Sequence, residues 1–193
     1  MKSGSQIKLL ITDFDGTLVD TFMANFKAYE KALFHFGISI DEITYRQCFG
    51  LRFKDFMNRI GLDNELTMKE IKELKSKYYP LFFDELKVNA SLLDFIKTFR
   101  YAGYKTAIAS TASRENLMNA LSYIKAGDIF DYILSGEEVR EGKPNPEVYL
   151  KILEYFNIKA DCALVFEDSE TGVEAAQKAG VNYIIINSQF YGN

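Results

Sequence analysis

Residues 7–20 read "IKLLITDFDGTLVD", a short apolar run that ends abruptly in Asp13, Phe14, Asp15 and Gly16. Its length and its Leu and Ile content suit a strand buried on both faces, as in a parallel sheet. Residues two apart on a strand share a side, so Asp13 and Asp15 face one way while Phe14 points into the core. Gly16 then lets the chain turn at once, because it takes positive φ without penalty. Two carboxylates are expected to converge at the end of the first strand. Strand-end aspartates often do no more than cap turns. A calcium loop of the EF-hand kind needs Gly at its sixth position and Glu at its twelfth, where a count from Asp13 finds Leu18 and Ala24.

Four later runs resemble the first: "KTAIAS" at 105–110, "YILSG" at 132–136, "ALVFED" at 163–168 and "YIIINS" at 183–188. Helical patterns lie between them at 114–126, at 146–157 with Asn145 and Pro146 as cap and first turn, and at 170–179. Alternation of strand and helix is the βαβ signature of an α/β, doubly wound parallel sheet.

Nearly ninety residues separate the first strand from the second, and this stretch reads as helix after helix, at 22–36, 41–47, 52–60 and 68–86. The capping box "TMKE" at 67–70 opens the last. Aromatic residues crowd the insertion, and most are expected to pack its helices together. The reading is an all-helical cap, 19–87, inserted into a core formed by 1–18 and 88–193, with hinges near 18–21 and 84–89. A lid beside a catalytic loop excludes water and selects substrates.

The chain has 193 residues, 48% of them hydrophobic, and a net charge of -4, enough for one sizeable core plus an insertion. Charges of both signs are spread along it, without the basic stripe that neutralises nucleic-acid phosphates. Nucleic acid is therefore not an expected partner. Apolar runs stay far below the roughly 20 residues needed to cross a bilayer, and the amino terminus lacks a signal-peptide pattern. Cys48 and Cys162 have no metal-ligand spacing and read as free thiols. A cytoplasmic protein without a membrane partner is expected.

A second acidic pair, Glu167 and Asp168 in "FEDS", ends another buried strand. Carboxyl ends of neighbouring parallel strands meet at the switch point of a doubly wound sheet. Four carboxylates there repel one another unless a cation intervenes, and all-oxygen ligation without a nearby histidine points to Mg²⁺. A phosphoryl group on such a site needs positive charge and donors on its other side. "IASTAS" at 108–113 offers hydroxyls, that of Ser110 among them, and backbone amides at a helix start suited to phosphate oxygens. Lys143 in "GKPNP" sits in a loop stiffened by Pro144 and Pro146. It is no P-loop lysine, since five residues separate Gly136 from Gly142 and Pro144 stands where Ser or Thr is required.

The ordered set "DFDGTLVD", "IAST", "GKPNPEVYL" and "VFEDSETGVEAAQKAG" resembles the haloacid dehalogenase-like hydrolases, in the group with a helical cap after the first motif. The motifs span residues 11–180 and are specific as a set. The resemblance implies a Rossmann-like sheet of order 3-2-1-4-5. It implies Asp13 as the nucleophile that becomes an aspartyl-phosphate, Asp15 as general acid and then base, and Ser110 with the Thr111 amide as phosphate ligands. Lys143 would neutralise nucleophile and phosphoryl group. Mg²⁺ would be held by Asp13, Asp15 through its carbonyl, and Asp168, with Glu167 a direct or water-mediated ligand.

Within that family, Asp15 argues against dehalogenation, because a halide leaves without a proton. Members that act as β-phosphoglucomutases use a histidine where this chain has Asn25 and a cap arginine where it has Phe53. Phosphonate hydrolysis needs a cap lysine near that position, and Lys54 lies one step away. The expected activity is a Mg²⁺-dependent phosphatase for a small phosphorylated metabolite. A phosphomutase is the alternative, and a non-enzymatic phospho-acceptor module is a reading from another class. Gly50, Arg52, Phe53 and Lys54 are the candidate specificity residues of the cap, and lone His35 reads as a packing residue. The chain ends soon after "YIIINS", so that sheet edge is expected to be bare or covered by a partner, in a monomer or weak homodimer.

Overall fold

Seven strands occur among the described residues, 6–187 and 191, of this computed structural model. They are β1 (Leu9–Thr12), β2 (Val19–Asp20), β3 (Lys87–Val88), β4 (Lys105–Ala109), β5 (Tyr132–Leu134), β6 (Ala163–Glu167) and β7 (Asn182–Ile185). Five form one parallel sheet in the order β5-β4-β1-β6-β7, which is the expected 3-2-1-4-5 arrangement. All four β1 residues are buried at the centre, with Ile11 opposite Ala107 on one side and Val165 on the other. An apolar run without alternation is explained by that position, since both faces of a central strand are covered.

The chain divides into two compact units, one holding the described residues through Asp20 and from Lys87 onward, the other Thr21–Leu86. The connections between them begin and end at an antiparallel pair, Val19 opposite Val88 and Asp20 opposite Lys87.

The helical unit contains α1 (Phe22–Phe34), α2 (Glu42–Arg46), α3 (Phe53–Arg59) and α4 (Glu65–Tyr78), then a 3₁₀ segment, Tyr79–Glu85. Its core is aromatic. The buried Tyr45 ring lies 5.4 Å from Phe22, 5.6 Å from Phe26 and 5.6 Å from Phe56, in tilted or edge-on contact. Such geometry suits rings with negative faces and positive edges. Two local readings are corrected here. α4 starts before the Thr67 box because Asn64 supplies an earlier cap, accepting from the Thr67 amide at 3.0 Å, and Asn caps at least as well as Thr. It stops at Tyr78 because Pro80 brings no N–H and cannot continue an α-helix.

The sheet unit adds α5 (Ala90–Tyr101), α6 (Arg114–Tyr123), α7 (Glu147–Phe156) and α8 (Glu170–Lys178). The periodic reading above assigns nothing to α5, yet Asn89 caps it through the Leu92 amide at 3.1 Å and Leu92, Leu93 and Ile96 form its buried face. β1, β4 and β6 contribute to one apolar cluster with Tyr149 and Ile152 of α7 and Ala175 and Ala176 of α8. β7 is a sheet edge whose four residues are all exposed, Tyr183, Ile184 and Ile185 among them. Ser188, the end of the expected last strand run, and residues 1–5 lie outside the described residues. Among those described, no helix is long and apolar enough to cross a membrane, and both cysteines are free thiols.

Candidate active site

Asp13 follows β1 directly and is tied to the neighbouring strand end, its amide donating to the Phe166 carbonyl at 3.0 Å. Its side chain is buried and accepts from Lys143 Nζ on Oδ1 at 2.7 Å. Lys143 also donates to the Ala109 carbonyl at 3.0 Å and to Glu167 Oε1 at 2.5 Å, so its three N–H groups are all engaged. The carboxyl ends of β1, β4 and β6 therefore meet on one ammonium. Adjacent parallel strands with equivalent registers leave their ends side by side, which explains how residues 130 positions apart come into contact.

The loop after Asp13 doubles back tightly. The Gly16 amide donates to the Val19 carbonyl at 2.8 Å and the Val19 amide to Phe14 at 3.0 Å. Gly16 has φ +93°, and a Cβ there would stand 2.2 Å from Asp168 Oδ2. Only glycine meets both demands. Thr17 donates its hydroxyl to Asp168 Oδ1 at 2.8 Å, which links the first motif to the last.

Ser110 is buried at the end of β4, accepts from the Ala112 amide at 3.0 Å, and points its hydroxyl toward Asp15 Oδ2 at 3.5 Å, the outer limit for a hydrogen bond. Thr111 follows it, with its carbonyl so close to Gly136 that a Cβ on that glycine would come within 2.2 Å. Asp13, Asp15, Ser110, Thr111, Lys143, Glu167 and Asp168 thus gather in the sheet unit, at the ends of three strands.

Glu167, expected as a direct or water-mediated metal ligand, has both oxygens engaged by protein donors. Its side chain is wholly buried. Oε1 accepts from Lys143 and from the Tyr149 hydroxyl at 3.1 Å, while Oε2 accepts from the Asp168 amide, the Ser169 amide and the Ser169 hydroxyl at 3.0–3.1 Å. Five donors fill both oxygens and leave none for direct coordination. Gly172 makes this fit possible, since a Cβ there would lie 1.9 Å from the carboxyl carbon.

Burial pushes the Asp13 carboxyl well above its ordinary range; Lys143 opposes this, while Glu167, Asp168 and Asp15 add to it. Burial alone would also raise Glu167, but Lys143 and the Ser169 donors bring it below the usual value. Burial acts to lower Lys143, and Asp13 and Glu167 more than reverse it. The ammonium is held charged between two acids.

A divalent ion fits the remaining donor set. Lys143 occupies Oδ1 of Asp13 and leaves Oδ2, while Thr17 occupies Oδ1 of Asp168 and leaves Oδ2 beside Gly16. No ready-made cluster of three acidic, His or Cys side chains exists among the described residues. Two carboxylates with water and substrate oxygens completing the shell suit Mg²⁺, which seldom takes an all-protein cage.

Several supporting residues have roles that the motifs do not announce, although Glu147 and Tyr149 lie within "GKPNPEVYL". Tyr149 lies one turn inside α7. Glu147, at the start of α7, accepts the amides of Arg140 and Glu141 at 3.0 Å each on one oxygen and so clamps the loop that carries Lys143; those bonds and Lys151 lower its pKa to about 2. The Tyr191 hydroxyl is buried and has no hydrogen-bond partner among the described residues, its pKa raised by burial and by the negative charge of Asp168 and Asp13. A first-turn acid is the one sequence signal here, since helix starts favour negative charge.

The remaining candidates belong to the helical unit. Gly50 is exposed with φ +85°, Arg52 caps α3, Lys54 is exposed, and the partly buried Phe53 stacks on Tyr29 at 6.5 Å within the aromatic core. His35 is exposed at the end of α1, edge-on to Phe36, and not enclosed by packing as expected. The buried face of α1 ends at Leu33, and both Phe34 and His35 lie beyond it in solvent.

A family model described as haloacid dehalogenase-like hydrolase matches residues 10–186. The chain is 30% identical over 184 residues to the phosphorylated carbohydrates phosphatase of Thermotoga maritima, covering 92% of this chain and 84% of that one. It is 28% identical over 198 residues to protein CbbY of Rhodobacter capsulatus, covering 96% and 87%. The crystal structure of CbbY from Rhodobacter sphaeroides in complex with phosphate superposes with a TM-score of 0.87 at 25% identity, over 97% of this chain and 89% of that one.

Proposed function

Since the chain belongs to the haloacid dehalogenase-like hydrolase family, we propose that this phosphatase hydrolyses a small phosphorylated metabolite with Mg²⁺, through a phosphoryl group carried on Asp13. The single observation that carries the reading is Lys143 held between Asp13 and Glu167, with Asp15 and Ser110 alongside. The name of the Thermotoga maritima relative favours a carbohydrate phosphate as substrate.

Asp13 would attack phosphorus through a carboxylate oxygen, and the bond from phosphorus to the ester oxygen would break. Asp15, on the same side of the turn, would give its proton to the departing alkoxide and then take one from the water that cleaves the acyl phosphate. Two such steps replace one difficult displacement. Lys143 stabilises charge on Asp13 and on the transferring phosphoryl, while Ser110 and the Thr111 amide grip its oxygens. The Asp13 and Asp168 carboxylates with the Asp15 carbonyl would hold the metal, which when bound supplies Lewis-acid charge to the phosphoryl oxygens. Glu167 serves Lys143 instead.

Release of p-nitrophenol from its phosphate ester tests the reading. Turnover is expected with Mg²⁺ and is expected to vanish with a chelator; the absence of metal-dependent release would favour a non-enzymatic phospho-acceptor. The mutase alternative predicts glucose 6-phosphate from β-glucose 1-phosphate. Asn25 and Phe53, where the mutases place histidine and arginine, argue for hydrolysis.

A further inference from the structure

Tyr149 meets both halves of the central ion pair. Its side chain is wholly buried, its hydroxyl donates to Glu167 Oε1 at 3.1 Å, and Lys143 Nζ lies 5.5 Å from the centre of its ring. The same Glu167 oxygen accepts from Lys143 at 2.5 Å. The lysine thus stands between two competing carboxylates, Asp13 and Glu167, with the Ala109 carbonyl fixing its third N–H. Where the ammonium settles depends on how strongly each acid draws it.

A fully buried carboxylate with an unfilled lone pair cannot turn to water, so it draws harder on whatever donor it has. The Tyr149 hydroxyl fills that lone pair on Glu167. The backbone and hydroxyl donors on Oε2 already hold the other oxygen. With Glu167 satisfied from both ends, Lys143 is left to be shared with Asp13. We infer that Tyr149 is a positioning residue for the reaction, its hydroxyl limiting the pull of Glu167 so that Lys143 serves Asp13. The inference rests on the phosphatase reading of this site. A phenyl ring alone would fill the same core space, so packing does not require the hydroxyl.

Tyr149→Phe isolates the donor. Turnover of p-nitrophenyl phosphate by this variant is expected to fall about tenfold, the scale of one hydrogen bond to a charged group, while KM stays within about twofold of the parent value. In a Glu167→Gln background the same change is expected to have no further effect, because the two residues act as one unit; independent structural losses would multiply. A Phe variant with parental kcat, a loss that recurs in full in the Gln background, or a Phe variant that no longer folds would overturn the inference. Failure of the underlying phosphatase reading shows differently, as absence of metal-dependent turnover in the parent protein.

Discussion

Lys143 Nζ stands 2.7 Å from Asp13 Oδ1, with both side chains almost fully withdrawn from solvent. The two partners are not equivalent: without the Asp13 charge Lys143 keeps Glu167, whereas without Lys143 two buried carboxylates lose their common cation. That asymmetry separates the two partners experimentally.

Asp13→Asn is expected to abolish phosphatase turnover, by at least about a thousandfold, while keeping the fold. Its carboxyl is buried and raised well above the ordinary range, so a neutral amide relieves an electrostatic burden on the metal-free protein. Urea unfolding without metal should show equal or greater stability. Marked destabilisation would contradict this account of the site.

Lys143→Met should behave in the opposite way. It leaves Asp13 and Glu167 buried without their common cation, at a cost of about 3 kcal/mol or more. Both stability in urea and turnover are expected to fall. A variant as stable as the parent would mean that the ion pair is not buried in solution.

Mg²⁺ affinity should depend on pH through Asp168, whose carboxyl is raised to about 6, first by burial and then by Glu167, against the Thr17 hydrogen bond. The ordinary value is 3.8. Between these values the folded protein binds a proton that the unfolded chain releases. The group therefore destabilises the metal-free fold at pH 7, and this burden is relieved as pH falls through about 6. Magnesium competes with that proton, so calorimetric affinity should fall by up to about tenfold per pH unit below 6. A flat profile from pH 7 to 5 would exclude Asp168 as a ligand.

Gly16→Ala combines a positive φ with a Cβ 2.2 Å from Asp168 Oδ2. The strained backbone costs on the order of 1–3 kcal/mol, and Asp168 must turn away from Thr17. Loss of Mg²⁺ affinity should accompany the lower melting temperature. Normal affinity in a destabilised variant would show that Asp168 does not depend on this turn.

Glu147→Ala removes the acceptor for two loop amides without touching the strand ends. Hydrogen exchange at Arg140 and Glu141 should become faster and turnover should fall several-fold, the scale of one or two backbone hydrogen bonds. Unchanged exchange would mean that Pro144 and Pro146 hold the loop without it.

How far the chain can be read in advance varies with the kind of contact. Unbroken apolar runs in β1, β4 and β6 carry the signature of covered strands, so the parallel sheet is legible. The family motifs supplied its order. α5 is less legible because its buried face, Leu92, Leu93 and Ile96, sits among exposed aromatics such as Phe95 and Tyr101 that blur the period. Phe53 shows the same limit in the helical unit, where an aromatic side chain reads equally as packing or as substrate contact until its neighbour Tyr29 is known.

By itself the sequence determined which acids and hydroxyls stand at strand ends, because a strand's alternation and the glycine after it are local properties. Tertiary structure alone decided how those groups are shared: Glu167 is given to Lys143, Tyr149 and Ser169, while Thr17 turns to Asp168. The physical reason is competition for lone pairs in a space closed to water. Which donor reaches which oxygen there depends on distances of a few tenths of an ångström between segments far apart along the chain, and local residue preferences carry no record of those distances.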